Sequence, residues 1–124
     1  MKQIETKNAP VAIGPYSQAV MANGFLYASG QLPIDPATGA FPEGGIQAQA
    51  RQSLLNVKAI LEEAGLSLAN VVKTTVYLAD MGDFAAMNEI YSQFFSQPFP
   101  ARSAVAVKAL PKGALVEVEV VAAV

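Results

Sequence analysis

An α+β domain, with helices laid on one face of a sheet, is what the order of apolar patterns predicts: strands, helix, strand, helix, strands. Two helical periodicities and one hairpin signal carry that prediction. Ile46, Ala50, Leu54, Val57, Leu61 and Ala64 recur at three- and four-residue spacing, as do Phe84, Met87, Ile90, Tyr91 and Phe94. Asn23-Gly24 separates the apolar runs 17–22 and 25–29, and both residues tolerate the positive φ of a type I′ hairpin turn.

The elements follow in order. Lys2 to Thr6 reads as a short strand, and Gly14-Pro15 punctuates a turn before the hairpin, with Tyr16 just beyond it. The second hairpin strand, Phe25 to Ser29, ends at Gly30, where a missing Cβ lets a ligand or another backbone approach closely. Gln31 to Gly45 is a long loop with Asp35-Pro36 and Thr38-Gly39 as turn signals, a length that is often functional or packed on a neighbour. A helix over 46–64 stops at Gly65. Val71 to Ala79 is rich in β-branched and aromatic residues and is the best candidate for a central strand. Asp80 and Asp83 offer acceptors to cap the second helix, which carries Asn88 in a row with Phe84, Tyr91 and Phe95. Pro98 and Pro100 direct the chain into a strand over Ser103–Lys108, and a turn at Pro111-Lys112-Gly113 leads to the last strand, Leu115 to Val121. Alternation there sends Val116, Val118 and Val120 one way and Leu115, Glu117, Glu119 and Val121 the other. The glutamates' face mixes carboxylates with apolar residues, the expected character of a face that meets another subunit around a polar pocket.

At 124 residues the chain has room for one domain, 1–124, with one core. The hydrophobic fraction of 52% against 15% charged residues predicts that apolar surface is covered in an oligomer. Charges, Pro and Gly break every apolar run before the roughly 20 residues a membrane span needs, and the Met1–Glu5 start lacks a signal-peptide core, so a cytoplasmic protein is expected. With net charge −2 and eight scattered basic residues, no stripe follows a phosphate backbone, which argues against nucleic acid. The chain has no Cys and no His. That excludes thiolate nucleophiles, Ser-His-Asp triads and the usual zinc sites, and no carboxylates stand at metal-ligand spacing. Acid–base chemistry falls to Asp, Glu, Tyr, Lys, water or the backbone.

Within that set Arg102 and Glu117 stand out. A guanidinium fork matches a carboxylate ligand, and a glutamate on the next strand in the chain is a proton acceptor if the fold brings the two together. Read alone, Arg102 fits a solvated strand end better than a ligand clamp, Glu117 and Glu119 fit rim charges, Tyr16 fits a core aromatic as well as a site residue, Ser29 and Gly30 a plain strand end, and Asn88 an exposed helix position.

The run Gly14-Pro15-Tyr16-Ser17-Gln18-Ala19, with Ser29-Gly30-Gln31, Val71 to Leu78, Phe84 to Asn88, and Pro100-Ala101-Arg102-Ser103-Ala104 through Glu119, resembles the RidA (YjgF-like) reactive intermediate deaminases. The resemblance spans essentially the whole chain in order and spacing. It implies a chorismate-mutase-like α+β fold, homotrimeric, with ligand sites in the clefts between subunits. It also implies hydrolysis of enamine and imine acids (2-aminoacrylate, its tautomer 2-iminopropionate, and 2-iminobutyrate) to 2-oxo acids and ammonia, without metal or organic cofactor. Carried over, Arg102 holds the substrate carboxylate and Glu117 orients or deprotonates the attacking water. Tyr16 joins them as a catalytic residue, while Ser29, Gly30, Asn88 and Ala104 bind substrate, the last through backbone N–H. Many relatives carry cysteine where this chain has Ala104. Two other functions compete: a non-catalytic module that senses 2-oxo acids at the same clefts, and an endoribonuclease or translation inhibitor, which the acidic charge and missing histidines disfavour.

Overall fold

The computed structural model describes residues 1–124. Its elements are β1 (Lys2–Ile4), β2 (Ala19–Ala22), β3 (Phe25–Ala28), α1 (Gly45–Glu63), β4 (Val71–Leu78), α2 (Phe84–Phe94), β5 (Ala101–Ala106) and β6 (Val116–Ala123). The α+β class is as expected: one mixed sheet with both helices on one face.

The six strands lie in the order β1-β2-β3-β6-β4-β5, antiparallel throughout except for the parallel β4–β5 pair. Asn23 (φ 52°) and Gly24 (φ 81°) make the hairpin turn between β2 and β3. The last strand inserts between β3 and β4, so β6 is the more central of the two and β4 lies one strand from the edge. One irregularity between Val71 and Lys73 shifts the β4–β6 register, which lets both Val71 and Thr74 face the core although they are three residues apart.

Val116, Val118, Val120 and Ala122 of β6 and Val76 and Leu78 of β4 are buried against Leu54, Val57, Ile60 and Leu61 of α1 and Met87, Ile90 and Tyr91 of α2. The apolar stripe read from the first helix thus faces the sheet. Beside it runs a polar stripe that periodicity did not single out, Gln49, Ser53 and Asn56, all buried. Two of them hold loops rather than core: Asn56 Nδ2 donates to the carbonyls of Leu32 (3.1 Å) and Ile34 (2.9 Å), and Gln49 Oε1 accepts from Leu115 N (2.8 Å), whereas the Ser53 hydroxyl has no partner. The long loop is therefore pinned to α1. Capping of the second helix starts one turn earlier than its first residue: Asp80 Oδ1 accepts from Gly82 N at 2.8 Å, opening a 3-10 turn that runs straight into α2.

Gln18 fastens the N-terminal segment. Its side chain is 3% exposed, accepts from Thr6 N at 2.7 Å and donates to the carbonyls of Thr6 (3.1 Å) and Pro10 (2.7 Å). Gln18→Ala strands these partners, and the Ala9 carbonyl that the amide also reaches at 3.4 Å, so a loss of about 2 kcal/mol in unfolding free energy is expected, read from the urea midpoint.

The opposite sheet face has no cover within the chain. Phe25, Tyr27 and Val105 are 39%, 46% and 45% exposed there, among the half-buried Lys73, Tyr77, Glu117 and Glu119. The mixture read from β6 alone thus extends across the sheet. No helix is long and apolar enough to cross a membrane.

Candidate active site

Where β3 ends against β6, Tyr16, Ser29, Gly30 and Glu117 converge on one cleft of about 510 Å³, which Ile13, Gln31 and Lys112 also line. Two backbone bonds set this junction: Gln31 N donates to Val118 O (2.7 Å) and Val118 N to Gln31 O (3.2 Å). They press Gly30 against the Glu117 side chain. A Cβ at position 30 would stand 2.8 Å from Glu117 Cδ, closer than real contacts allow. Gly30 is a site of close approach, although the group that approaches is the Glu117 side chain rather than a backbone. Because the obstructing group is the mobile end of a side chain, Gly30→Ala is expected to displace the carboxyl and leave the fold intact. A misplacement near 1 Å costs about 100-fold in turnover, to be read from kcat beside an unchanged circular dichroism spectrum.

The neighbouring hydroxyls have separate tasks. Ser29 Oγ donates to Ser17 O at 2.6 Å, so its proton ties β3 to the loop before β2 and its lone pairs remain for a ligand. Tyr16, 53% exposed, accepts from Ile13 N at 3.3 Å through its hydroxyl oxygen and keeps its own proton to donate.

Glu117 is the only carboxylate lining this cleft. Burial raises its pKa above the usual carboxylate value, and the negative charge of Glu119, two residues along on the same face, raises it further. Tyr77 donates from its hydroxyl to Glu119 Oε1 at 2.9 Å. That bond, with some desolvation and the charges of both glutamates, holds the Tyr77 phenol above its ordinary pKa. Glu119 is thereby committed to Tyr77, and Glu117 is the carboxylate left to face the cleft.

Arg102, Asn88 and Ala104 lie elsewhere. Arg102 is level with Thr74 and Ala104 with Val76 on the parallel neighbour β4, which places both on the helix side of the edge strand β5. Arg102 Nη1 donates to Asn88 Oδ1 at 2.7 Å, and its Cζ stands 4.6 Å from the Tyr91 ring centroid and 5.3 Å from that of Phe84. No carboxylate pairs with it: the single ion pair in the chain joins Lys58 to Glu62 on α1.

The sequence leaves the register of Arg102 and Glu117 across the Pro111 turn open, and within one chain the two do not meet. Consecutive in sequence, β5 and β6 are separated in space by β4. Glu117 is level with Tyr77 on the open face, whereas Arg102 is level with Thr74 on the helix face, three residues away along the intervening strand. The candidate residues therefore form two half-sites: Tyr16, Ser29, Gly30 and Glu117 in the cleft, and Arg102, Asn88 and Ala104 at the β5 edge.

Sequence reasoning missed Lys112 and Gln18, which line the cleft, and the packing of Phe84 and Tyr91 on Arg102. The row Phe84, Asn88, Tyr91 was visible as a helical face. What it faced was not, because β5 reaches it only through the parallel crossover.

The Endoribonuclease L-PSP family model matches residues 6–124. The chain belongs to this family. The same family holds the solved RidA and YjgF proteins, so the resemblance carried by the motifs is established over nearly the whole chain. A RutC family protein of Pyrococcus horikoshii is 57% identical over 96% of this chain and 94% of its own length. The Homo sapiens protein named 2-iminobutanoate/2-iminopropanoate deaminase is 53% identical over 96% of this chain and 87% of its own. Among solved structures, E. coli TdcF with bound serine superposes with a TM-score of 0.95 at 47% identity, covering 100% of this chain and 99% of that one. The YjgF-like fold, mixed sheet with two helices on one face, is thus shared at high identity.

Proposed function

We propose that this RidA-family chain is a 2-iminobutanoate/2-iminopropanoate deaminase, hydrolysing 2-imino acids and their enamine tautomers to 2-oxo acids and ammonia. The observation that carries the reading is the Glu117 carboxyl lodged against Gly30 as the cleft's only acid, in a chain 53% identical to a protein that bears that name. A carboxylate with a raised pKa suits proton transfer near neutral pH better than an ordinary one.

The chemistry asks for three things: a held carboxylate, a positioned water and a proton for the leaving nitrogen. Arg102 binds the substrate carboxylate through its free guanidinium edge. Glu117 takes a proton from water as the water oxygen bonds to the iminium carbon, and the C=N π pair moves onto nitrogen. That proton is returned to the nitrogen of the carbinolamine, the C–N bond breaks, and loss of the hydroxyl proton leaves the 2-oxo acid and ammonia. Tyr16 hydrogen-bonds in the cleft, with Ser29 and Gly30 forming its floor and the Ala104 backbone flanking the carboxylate. The Ala104 side chain supplies no thiol, and this sequence of proton transfers requires none.

Because the half-sites occupy opposite faces of one sheet, the complete site takes Arg102 from one copy and Glu117 from another. The homotrimer expected of the family supplies that juxtaposition, and the uncovered sheet face with its apolar and polar mixture fits burial between copies. The test couples purified protein to a serine or threonine dehydratase reaction and follows the transient imine. Faster imine loss that disappears with Arg102→Ala supports the reading, and no acceleration by the wild type sinks it. A non-catalytic sensor of small carboxylates is the second reading, favoured by the serine bound to TdcF. Calorimetric binding of 2-oxobutanoate without rate enhancement would select it.

A further inference from the structure

Every group that touches the Arg102 guanidinium within the chain is uncharged. Phe84, Asn88 and Tyr91 stand at i, i+4 and i+7 on α2 and present one face to it. Both ring centroids lie within the ~6 Å at which aromatic faces attract a cation. The Asn88 amide oxygen accepts at 2.7 Å and fixes one terminal nitrogen.

The cradle is itself anchored. Tyr91 is 5% exposed, its ring packs at a 37° tilt against Phe95 with centroids 4.6 Å apart, and its hydroxyl is 2.8 Å from Thr74 Oγ1, which is fully buried. Thr74 is the cross-strand partner of Arg102. Strand, arginine, tyrosine and threonine thus close a loop of contacts that leaves the arginine little freedom of direction.

Surface arginines are commonly held by carboxylates, which fix direction but consume charge. Here direction comes from two π faces and an amide, so the full positive charge remains for an incoming anion. We propose that Phe84, Asn88 and Tyr91 form a charge-neutral cradle that aims Arg102 and reserves its charge for the ligand carboxylate, with Thr74 locking Tyr91 in place. Phe84 and Tyr91 are positioning residues in this scheme, acting on the ligand only through Arg102. The inference rests on the proposed reading of Arg102 as the carboxylate clamp.

The discriminating substitution is Asn88→Asp, which keeps shape and hydrogen bond but gives Arg102 a partner charge. Its expected signature is opposed: thermal stability equal to or above wild type, and affinity for 2-oxobutanoate by calorimetry lowered at least about 10-fold, because the clamp is neutralised and a second anion repelled. Phe84→Leu removes one π face at a partly exposed position and is expected to weaken 2-oxobutanoate about 3- to 10-fold, raising KM for the imine more than it lowers kcat. Tyr91→Phe keeps the ring but loses the Thr74 bond that locks it, so 2-oxobutanoate is expected to weaken about 2- to 3-fold, less than in Phe84→Leu, while the melting temperature falls. A purely structural role would lower stability in Phe84→Leu and leave affinity unmoved. Wild-type affinity in both Asn88→Asp and Phe84→Leu overturns the cradle alone. A wild-type protein that neither binds 2-oxobutanoate nor hydrolyses the imine overturns the reading of the site and the cradle with it.

Discussion

Arg102→Ala and Glu117→Gln proteins, each expected to lose more than about 100-fold in turnover alone, are expected to recover activity when unfolded together, mixed in equal amounts and refolded. The reason lies in the sheet. Arg102 and Glu117 of one chain point to opposite faces and are separated by β4, so under the proposed reading they serve different sites. A cleft between copies is intact when its arginine comes from a Glu117→Gln chain and its glutamate from an Arg102→Ala chain. Random assembly in a closed ring of copies meets that condition at about one site in four, so roughly a quarter of wild-type activity returns. Refolding either variant by itself serves as the control and should return nothing. A mixed sample as inactive as its parents, from a wild type that is active, would show that the two residues do not meet across copies.

Much of the fold was legible because local rules and the global arrangement agree. Asn23-Gly24 demanded a hairpin and made one, and the 3.6-residue stripe of α1 met the alternating valines of β6. What stayed hidden was long-range: no local signal says that the last strand enters between β3 and β4, or that β5 runs parallel to β4 at the edge. That single topological fact decides the site. It sets Arg102 apart from Glu117 and against the Phe84–Tyr91 row of α2, whose partner no local pattern reveals. Gly30 was the reverse case, a local reading of close approach whose obstructing atom, the Glu117 carboxyl, came into view only with the Gln31–Val118 bridge. Gln18 stands in a motif, but its role as a clasp carries no local signal, because its partners, Thr6 and Pro10, lie in a segment without regular structure.

The second large effect concerns pH, and its sign follows from Glu117. Burial first, and the charge of Glu119 second, hold its carboxyl above the ordinary value, so the folded protein binds this proton more tightly than the unfolded chain does. The stability it contributes is fully present below the unfolded pKa and is lost as pH rises through the folded one. Glu117→Gln, neutral at every pH, escapes that loss. Its melting temperature should match wild type at acid pH and exceed it at neutral pH, even as its activity is gone. For turnover the group works ionised, so the acid limb of kcat/KM should lie above the range of an ordinary carboxylate. Replacing Glu119 by glutamine removes the neighbouring charge and leaves the desolvation, so the limb should move part of the way down and the enzyme should gain relative activity in mild acid. Lys73, Tyr77 and Tyr27 share this sheet face and Tyr16 and Lys112 the cleft, but Glu119 is the one whose charge opposes ionisation of Glu117. An acid limb that stays in place in Glu119→Gln would assign the titration to another group, and a wild-type limb in the ordinary carboxylate range would remove Glu117 as the base.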